Sequence, residues 1–335
     1  MGWRGTLRTL GAISREAERN AQRRQREHQK YLVAVEKAQK LEQAAQAVHD
    51  FETHLANLVS IHKSGPEPID WPAYVSAEKP IEPQDSHIRE SNAHQRLVSY
   101  RPHRFMEILG FAERKRRKLE QALIEARNED EEENHRKHED HQKAVSECEE
   151  RKELGQRLLA SDDEAIIEVI RTVDPFAPMS GLASNVLSKV VGHQRIAVEF
   201  EVRGETVVPK QTMTLLQSGR ASVKNIPKGD YYRLYQNYVC SAVLRVARDL
   251  FAIVPVDAVA VTAKEELLNS QTGHLEMVPI LSVFIPRDTF EKLNLDAIDP
   301  SDSMSNFIHK MDFRPNIGFR PVEPLDATSV GRVLD

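Results

Sequence analysis

The sequence predicts an α+β protein. A long antiparallel coiled-coil hairpin fills the first half, and a compact domain with a roughly five-stranded sheet and one long core helix follows. Three observations predict it. Neither Pro nor Gly occurs from Ser14 to His62, which favours continuous helix. Charged residues make up 29% of the 335 residues and aromatic residues only 6%, a balance suited to long helices joined to a globular part. From Ile196 onward the apolar period changes from helical to two.

The clearest helical register is Leu41, Ala44, Val48, Phe51, Leu55 and Leu58, whose steps of three and four keep one seam toward a partner helix. Ser64-Gly65-Pro66 stops this helix, because Gly tolerates the left-handed exit and Pro cannot continue it. A second long helix is expected from about Arg104 to Ala160. Phe105, Ile108, Leu109, Ala112, Leu119, Ala122, Leu123 and Ala126 form its first stripe, and Leu154, Leu158 and Leu159 resume it. The tip between the helices, Lys63 to His103, holds Pro66, Pro68, Pro72, Pro80 and Pro83 with Trp71 and Tyr74, and a short helix is expected near Ser86 to Val98.

Asn128 to Gln142 reads NEDEEENHRKHEDHQ and has no apolar side chain. In a hairpin it would lie against Arg15, Arg19, Arg23, Arg24, Arg26 and Lys30, setting register more than stability. Exposed ion pairs contribute only about 0.2–1 kcal/mol each. His135, His138 and His141 are spaced by three and so spread around the helix; no metal site is predicted there. Trp3, Leu7 and Leu10 form an apolar face expected to pack on Leu154 and Leu158. The alternative for that face is a membrane surface, with Arg4 and Arg8 on lipid head groups.

Ser161 to Glu164 reads as a capping box before a short helix. Asp174 to Pro178 is a linker, and Ser184 to Val190 is expected to be another short helix. Strands follow at Ile196–Val202, Pro209–Gln217 and Ala221–Ile226, then a long helix from Lys228 to Pro255, strands Ala258–Ala263 and Met277–Ile285, a short helix Asp288–Leu293 and an irregular tail. The expected divisions are 1–160 for the hairpin, with its tip at 63–103, 161–190 for short helices and linker, 191–325 for the α+β domain and 326–335 for the tail.

Function classes narrow by subtraction. Two cysteines, Cys148 and Cys240, lie too far apart in sequence for a metal motif and suggest a reducing, cytoplasmic compartment. No apolar run is long enough for a transmembrane helix. The net charge of −5 gives no global reason to expect nucleic acid, although the basic stretch near Arg23-Arg24 could contact phosphate. Phosphate-loop, dinucleotide, nucleophile-elbow and zincin motifs do not occur.

Glu199 and Glu201 stand on the polar side of one strand, Asp257 precedes another, and Lys210 lies nearby in the sheet reading. The order of strands and helix resembles nuclease cores of the restriction-enzyme type, though no Asp followed by Glu-x-Lys occurs in order. That resemblance implies Mg²⁺ held by carboxylates. The leading expectation is nevertheless a non-enzymatic adaptor or assembly protein with a protein partner and no cofactor. Trp71, Tyr74 and Trp3 are its partner-binding candidates, His274 marks a candidate loop, and the coiled coil could pair a second copy. A divergent metal-dependent nuclease or other hydrolase is the alternative.

Overall fold

The structure is a computed structural model; it describes residues 3–102, 111–192 and 194–327, apart from the side chains of residues 3–29 and of Glu205. Helix and sheet are mixed, as expected for α+β. The chain divides into two compact units, one of residues 1–67 with 173–335, the other of 68–172. The divisions expected from the sequence fall at 160, 190 and 325.

In the first unit, helix α1 spans Trp3–Val59. Its expected seam is present: Val48 and Leu58 are buried, and Leu41, Ala44, Phe51 and Leu55 are half-buried. A hairpin of strands and the core helix of this unit cover the seam. A 3-10 turn, Ile61–Lys63, follows α1. Gly65 then passes so close to Arg248 that an added Cβ would lie 2.8 Å from its Nε.

The main sheet has six strands rather than about five: β1 (Ala183–Val190), β2 (Arg195–Val202), β5 (Ala258–Leu268), β6 (Leu275–Pro286), β7 (Ile308–Arg314) and β8 (Gly318–Arg320), in that spatial order. Strands β3 (Gln211–Leu215) and β4 (Ala221–Asn225) form a separate two-stranded hairpin. Only β2 and β5 run parallel; every other neighbouring pair is antiparallel. The parallel step needs a crossover, and the long core helix supplies it.

Three expectations are corrected here. Ser184–Val190 is an edge strand, not a helix. Its register shifts between Ser184 and Leu187, and Asn185 has φ 47°, so the bulge hid the strand period. The tail is not irregular throughout, because Phe307 to Arg320 adds β7 and β8. The cap of the helix after residue 160 is Asp162, whose Oδ1 accepts from the Glu164 N–H at 2.9 Å, while Ser161 sits at φ 63°.

The two faces of the sheet are covered differently. Ile196, Val198, Phe200 and Val202 of β2 are buried on one face, as the period-two pattern required. On the other face, Ala258, Ala260, Phe284 and Ala327 cluster with Val191, Ala197 and Leu325. The last described segment lies across that face: the Val322 N–H donates to the Pro279 carbonyl at 2.9 Å, and the Leu325 N–H to Ser282 Oγ at 2.9 Å.

The second unit contains α2 (Trp71–Ser76), α3 (Ile88–Ser99), α4 (Phe111–Leu159) and α5 (Asp163–Val173). Helices α2 and α3 pack along α4. Trp71 is buried where Gly155 leaves room for α2; a Cβ on Gly155 would meet Val75 Cγ2 at 2.9 Å. The polar run Asn128–Gln142 has partners in residues 80–90. Asp130 Oδ2 accepts from the Glu90 N–H at 2.9 Å, capping α3 from another helix. Asn134 exchanges two hydrogen bonds with the Ser86 backbone, at 2.9 and 3.0 Å. His138 Nε2 lies 2.8 Å from Asp85 Oδ1, and His141 Nε2 lies 3.1 Å from the Pro80 carbonyl. Arg89 binds Glu133 at 2.5 Å and Asp130 at 3.4 Å. The expected counterparts Arg15 to Arg26 lie outside the described side chains; Lys30 is exposed.

Candidate functional site: a buried polar joint

The carboxylates singled out for hydrolysis lie on the second face of the sheet. Glu199 accepts a hydrogen bond from Lys264 on the neighbouring strand β5, and Glu201 accepts from Asn185 Nδ2 at 2.7 Å. Asp257 is exposed at the start of β5, and Lys210 precedes β3 in the separate hairpin. His274 is exposed in the β5–β6 turn, where Asn269 and Thr272 both donate to Glu276. His309 Nδ1 lies 3.1 Å from the Phe307 carbonyl, and His193 lies outside the described residues. Among the described residues these groups do not converge. Among the described residues, no three His, Cys, Asp or Glu side chains gather as a metal site. Of the partner-binding candidates, Trp71 is buried and meets Tyr74 edge-on at 5.8 Å, Tyr74 is half exposed, and the Trp3 side chain lies outside the described residues.

The structure gathers a different set. Helix α6 (Lys228–Ile253) is the crossover helix of the sheet-bearing unit, and all but one of its residues from Tyr238 onward are buried. One of its sides faces the sheet. The other carries Ser241, Arg245 and Asp249 at steps of four, one stripe on a helix, and meets the turn after α1.

His62 is fully buried. Its Nε2 lies 3.0 Å from the Leu295 carbonyl and its Nδ1 lies 2.8 Å from Ser241 Oγ. The carbonyl can only accept, so Nε2 carries the proton and Nδ1 accepts from the Ser241 hydroxyl. Ser241 Oγ in turn accepts the His62 backbone N–H at 3.1 Å. Arg245 Nε binds both oxygens of Asp249, at 2.6 and 2.8 Å, and its Nη1 reaches Ser64 Oγ at 2.5 Å. Arg248 donates to the carbonyls of His62 and Lys63, and Lys63 Nζ donates to the Asp296 carbonyl at 2.7 Å. The turn leaving α1 is thus bonded at every residue to α6 or to the segment near 295.

Burial sets the electrostatics. It lowers the His62 pKa, opposed by the Leu295 carbonyl and reinforced by Lys63 and Arg248, so the ring stays neutral. Burial raises the Asp249 carboxyl to about 6, with Arg245 pulling it back. The Ser–His contact resembles a nucleophile–base pair in its distances, but both side chains have zero exposure and the hydroxyl already makes two hydrogen bonds. The group acts as a joint. Beside it opens a cleft of about 540 Å³, with Ser60, Lys63, Ser64 and Arg245 on one side and Pro178 and Met179 on another.

Sequence reasoning did not find this joint. The available signal was Arg245 and Asp249, an i,i+4 ion pair set among Val243, Leu244, Val246, Ala247 and Leu250. Nothing marked His62 beforehand.

The joint fixes the end of α1, the seam Leu41–Leu58 docks on the domain, and residues 30–40 before it are largely open. From Lys30 to Lys40 only Val35 is partly covered. Tyr31 is 66% exposed, Leu32 52% and Val33 65%. No protein family, curated protein or solved structure matches the chain. No helix among the described residues is long and apolar enough to cross a membrane.

Proposed function

We propose that the protein is a non-enzymatic interaction or assembly protein, with α1 as a coiled-coil arm on an α+β binding domain. The observation that carries this reading is the apolar cluster Tyr31, Leu32 and Val33, left open on a helix whose base is bonded to the core. Isolated helices depend on tertiary packing of an apolar face, so an arm of this length gains from a partner. The buried joint supports the same reading, because a helix fixed at its base presents its free part in one direction.

The experiment is crosslinking with mass spectrometry on protein purified from its host, wild type beside a Tyr31→Ser, Leu32→Ser, Val33→Ser variant. The expected result is a stoichiometric partner crosslinked near Lys30 and Lys37 in wild type and lost in the variant, with helicity at the wild-type level. Identical crosslinks in both, or none in wild type, would overturn the reading. The hydrolase alternative has no comparable support, since Glu199 is engaged by Lys264 and Glu201 by Asn185.

A further inference from the structure

We infer that the partner of α1 is a second copy of this chain, paired antiparallel through the N-terminal part of the helix; this rests on the arm reading above. Two independent features lead there. The first is the direction of the open face. At 100° per residue, Leu32 and Val35 lie about 180° from Leu41 and Ala44. The seam that docks α1 on its own domain therefore lies opposite Leu32 and Val35, of which Leu32 is 52% exposed and Val35 is partly covered. A second copy can occupy that side with no loss of the domain contacts.

The second feature is the symmetry of the sequence about Ala21. Within the helix Trp3–Val59, positions 7, 10, 14, 17, 21, 25, 28, 32 and 35 follow steps of three and four and share one stripe. Turned end for end about Ala21, the stripe maps onto itself. Leu7 meets Val35, Leu10 meets Leu32, Ser14 meets His28, Ala17 meets Gln25, and Ala21 meets its own copy. Apolar residues stand at both ends, and small residues at Ala17 and Ala21 allow the helices to come close near the axis. The flanking charges reverse sign across the same centre: Arg15 stands opposite Glu27, Glu16 opposite Arg26, and Glu18 opposite Arg24. A two-fold interface requires this self-complementarity, since each residue must suit its image. A parallel pair would place each of these charges beside its like in the other copy.

The paired stretch from Leu7 to Val35 is about 42 Å long at 1.5 Å per residue. Its weak centre, with Ser14, Gln25 and His28 in the stripe, leaves partner choice to the charged flanks. Arg19 opposite Arg23 is the single unfavourable pairing in the pattern.

The test uses the full chain. Light scattering across a dilution series is expected to give a dimer that dissociates. Arg24→Glu makes both symmetric Glu18 contacts repulsive and should weaken the dimer, raising Kd by at least about tenfold. Adding Glu18→Arg to Arg24→Glu should restore the dimer. Ala21→Cys in a Cys148→Ser background should form a disulfide-linked dimer on mild oxidation, and Ser14→Cys in the same background should not. A monomer at all concentrations, no rescue by the double exchange, or equal crosslinking at positions 14 and 21 would each overturn the antiparallel pair. A monomer that still crosslinks another protein through Tyr31 to Val33 would overturn this inference and leave the arm reading standing.

Discussion

In the sheet-bearing unit, the side chains withdrawn from water are mainly apolar. They run from Ile196 through α6 to Ile285, and the polar ones concentrate in the joint at His62, Ser241, Arg245 and Asp249. In the helical unit the 49-residue α4 buries only Asp130, Asn134, Gly155 and Leu158, and two of those four are polar. One unit is held by area removed from water, with a polar group fixing one contact. The other is held along much of its length by side chains bonded to backbone. Area burial tolerates substitution of similar volume. A polar contact fixes register more tightly, because an unmet donor or acceptor has no cheap substitute.

The largest effect should come from the joint. Asp249→Ala leaves the Arg245 guanidinium buried without its carboxylate, and breaking a buried pair on one side costs about 3–5 kcal/mol. Urea unfolding of the full chain, followed by a probe in the sheet-bearing unit, measures it. Replacing both partners, with Arg245→Met and Asp249→Leu, should recover most of the loss. If the single variant loses less than about 1 kcal/mol, the pair is not a buried contact in solution and the joint is looser than described.

A smaller effect is expected at Asp130. Its carboxylate accepts the Glu90 N–H and binds Arg89, and its side chain is 3% exposed. Asp130→Ala strands a backbone donor at the start of α3 and should cost about 1–3 kcal/mol, confined to the helical unit. Hydrogen exchange at the first turn of α3 should speed up while the amides of β5 and β6 keep their protection. Glu133→Ala is the contrast. Lys137 and Arg89 hold that carboxyl down to about 2, but it lies at the surface, and its removal should leave α3 exchange close to wild type. Equal effects of the two substitutions would mean that the polar run Asn128–Gln142 acts through general charge and not through the cap.

The difference between the units also explains what was legible in the sequence. Apolar periodicity named the α1 seam from Leu41 to Leu58, the buried side of β2, and α6 nearly to its ends. It could not name the partner of the seam, since a helix and a β-hairpin both cover an apolar stripe. It missed β1, where the bulge near Asn185 breaks the period, and it mistook β7 and β8 for tail, since no residue of β7 is fully buried and β8 has only three residues. Polar contacts were hardly legible at all. Asp130 caps a helix that starts 42 residues earlier in the chain, at Ile88, and His62 meets Ser241 across 179 residues. Neither contact leaves a local pattern. Glu199 and Glu201 looked like chemistry because the sequence cannot show Lys264 and Asn185 beside them.

The smallest effect concerns acid, and it tests the joint. The His62 ring is held neutral in the fold, its pKa below the ordinary 6.5, first by burial. A proton then binds the unfolded chain more readily than the folded one. The stability that His62 contributes is whole above the ordinary histidine value and is lost as pH falls through it, until the folded ring also titrates. Asp249 acts in the opposite sense. Its carboxyl is raised to about 6, so below that value the folded chain takes up a proton sooner than the unfolded one, and acid restores some stability. The two can mask each other in a simple pH profile. The clean quantity is the stability difference between wild type and His62→Gln, which keeps a donor and an acceptor but does not titrate. That difference should shrink as pH falls from 7 to 5. A difference that grows toward acid would mean that His62 is protonated in the fold, with Ser241 accepting from Nδ1 and the turn after α1 held by a charged ring, and a constant one that burial does not shift the ring.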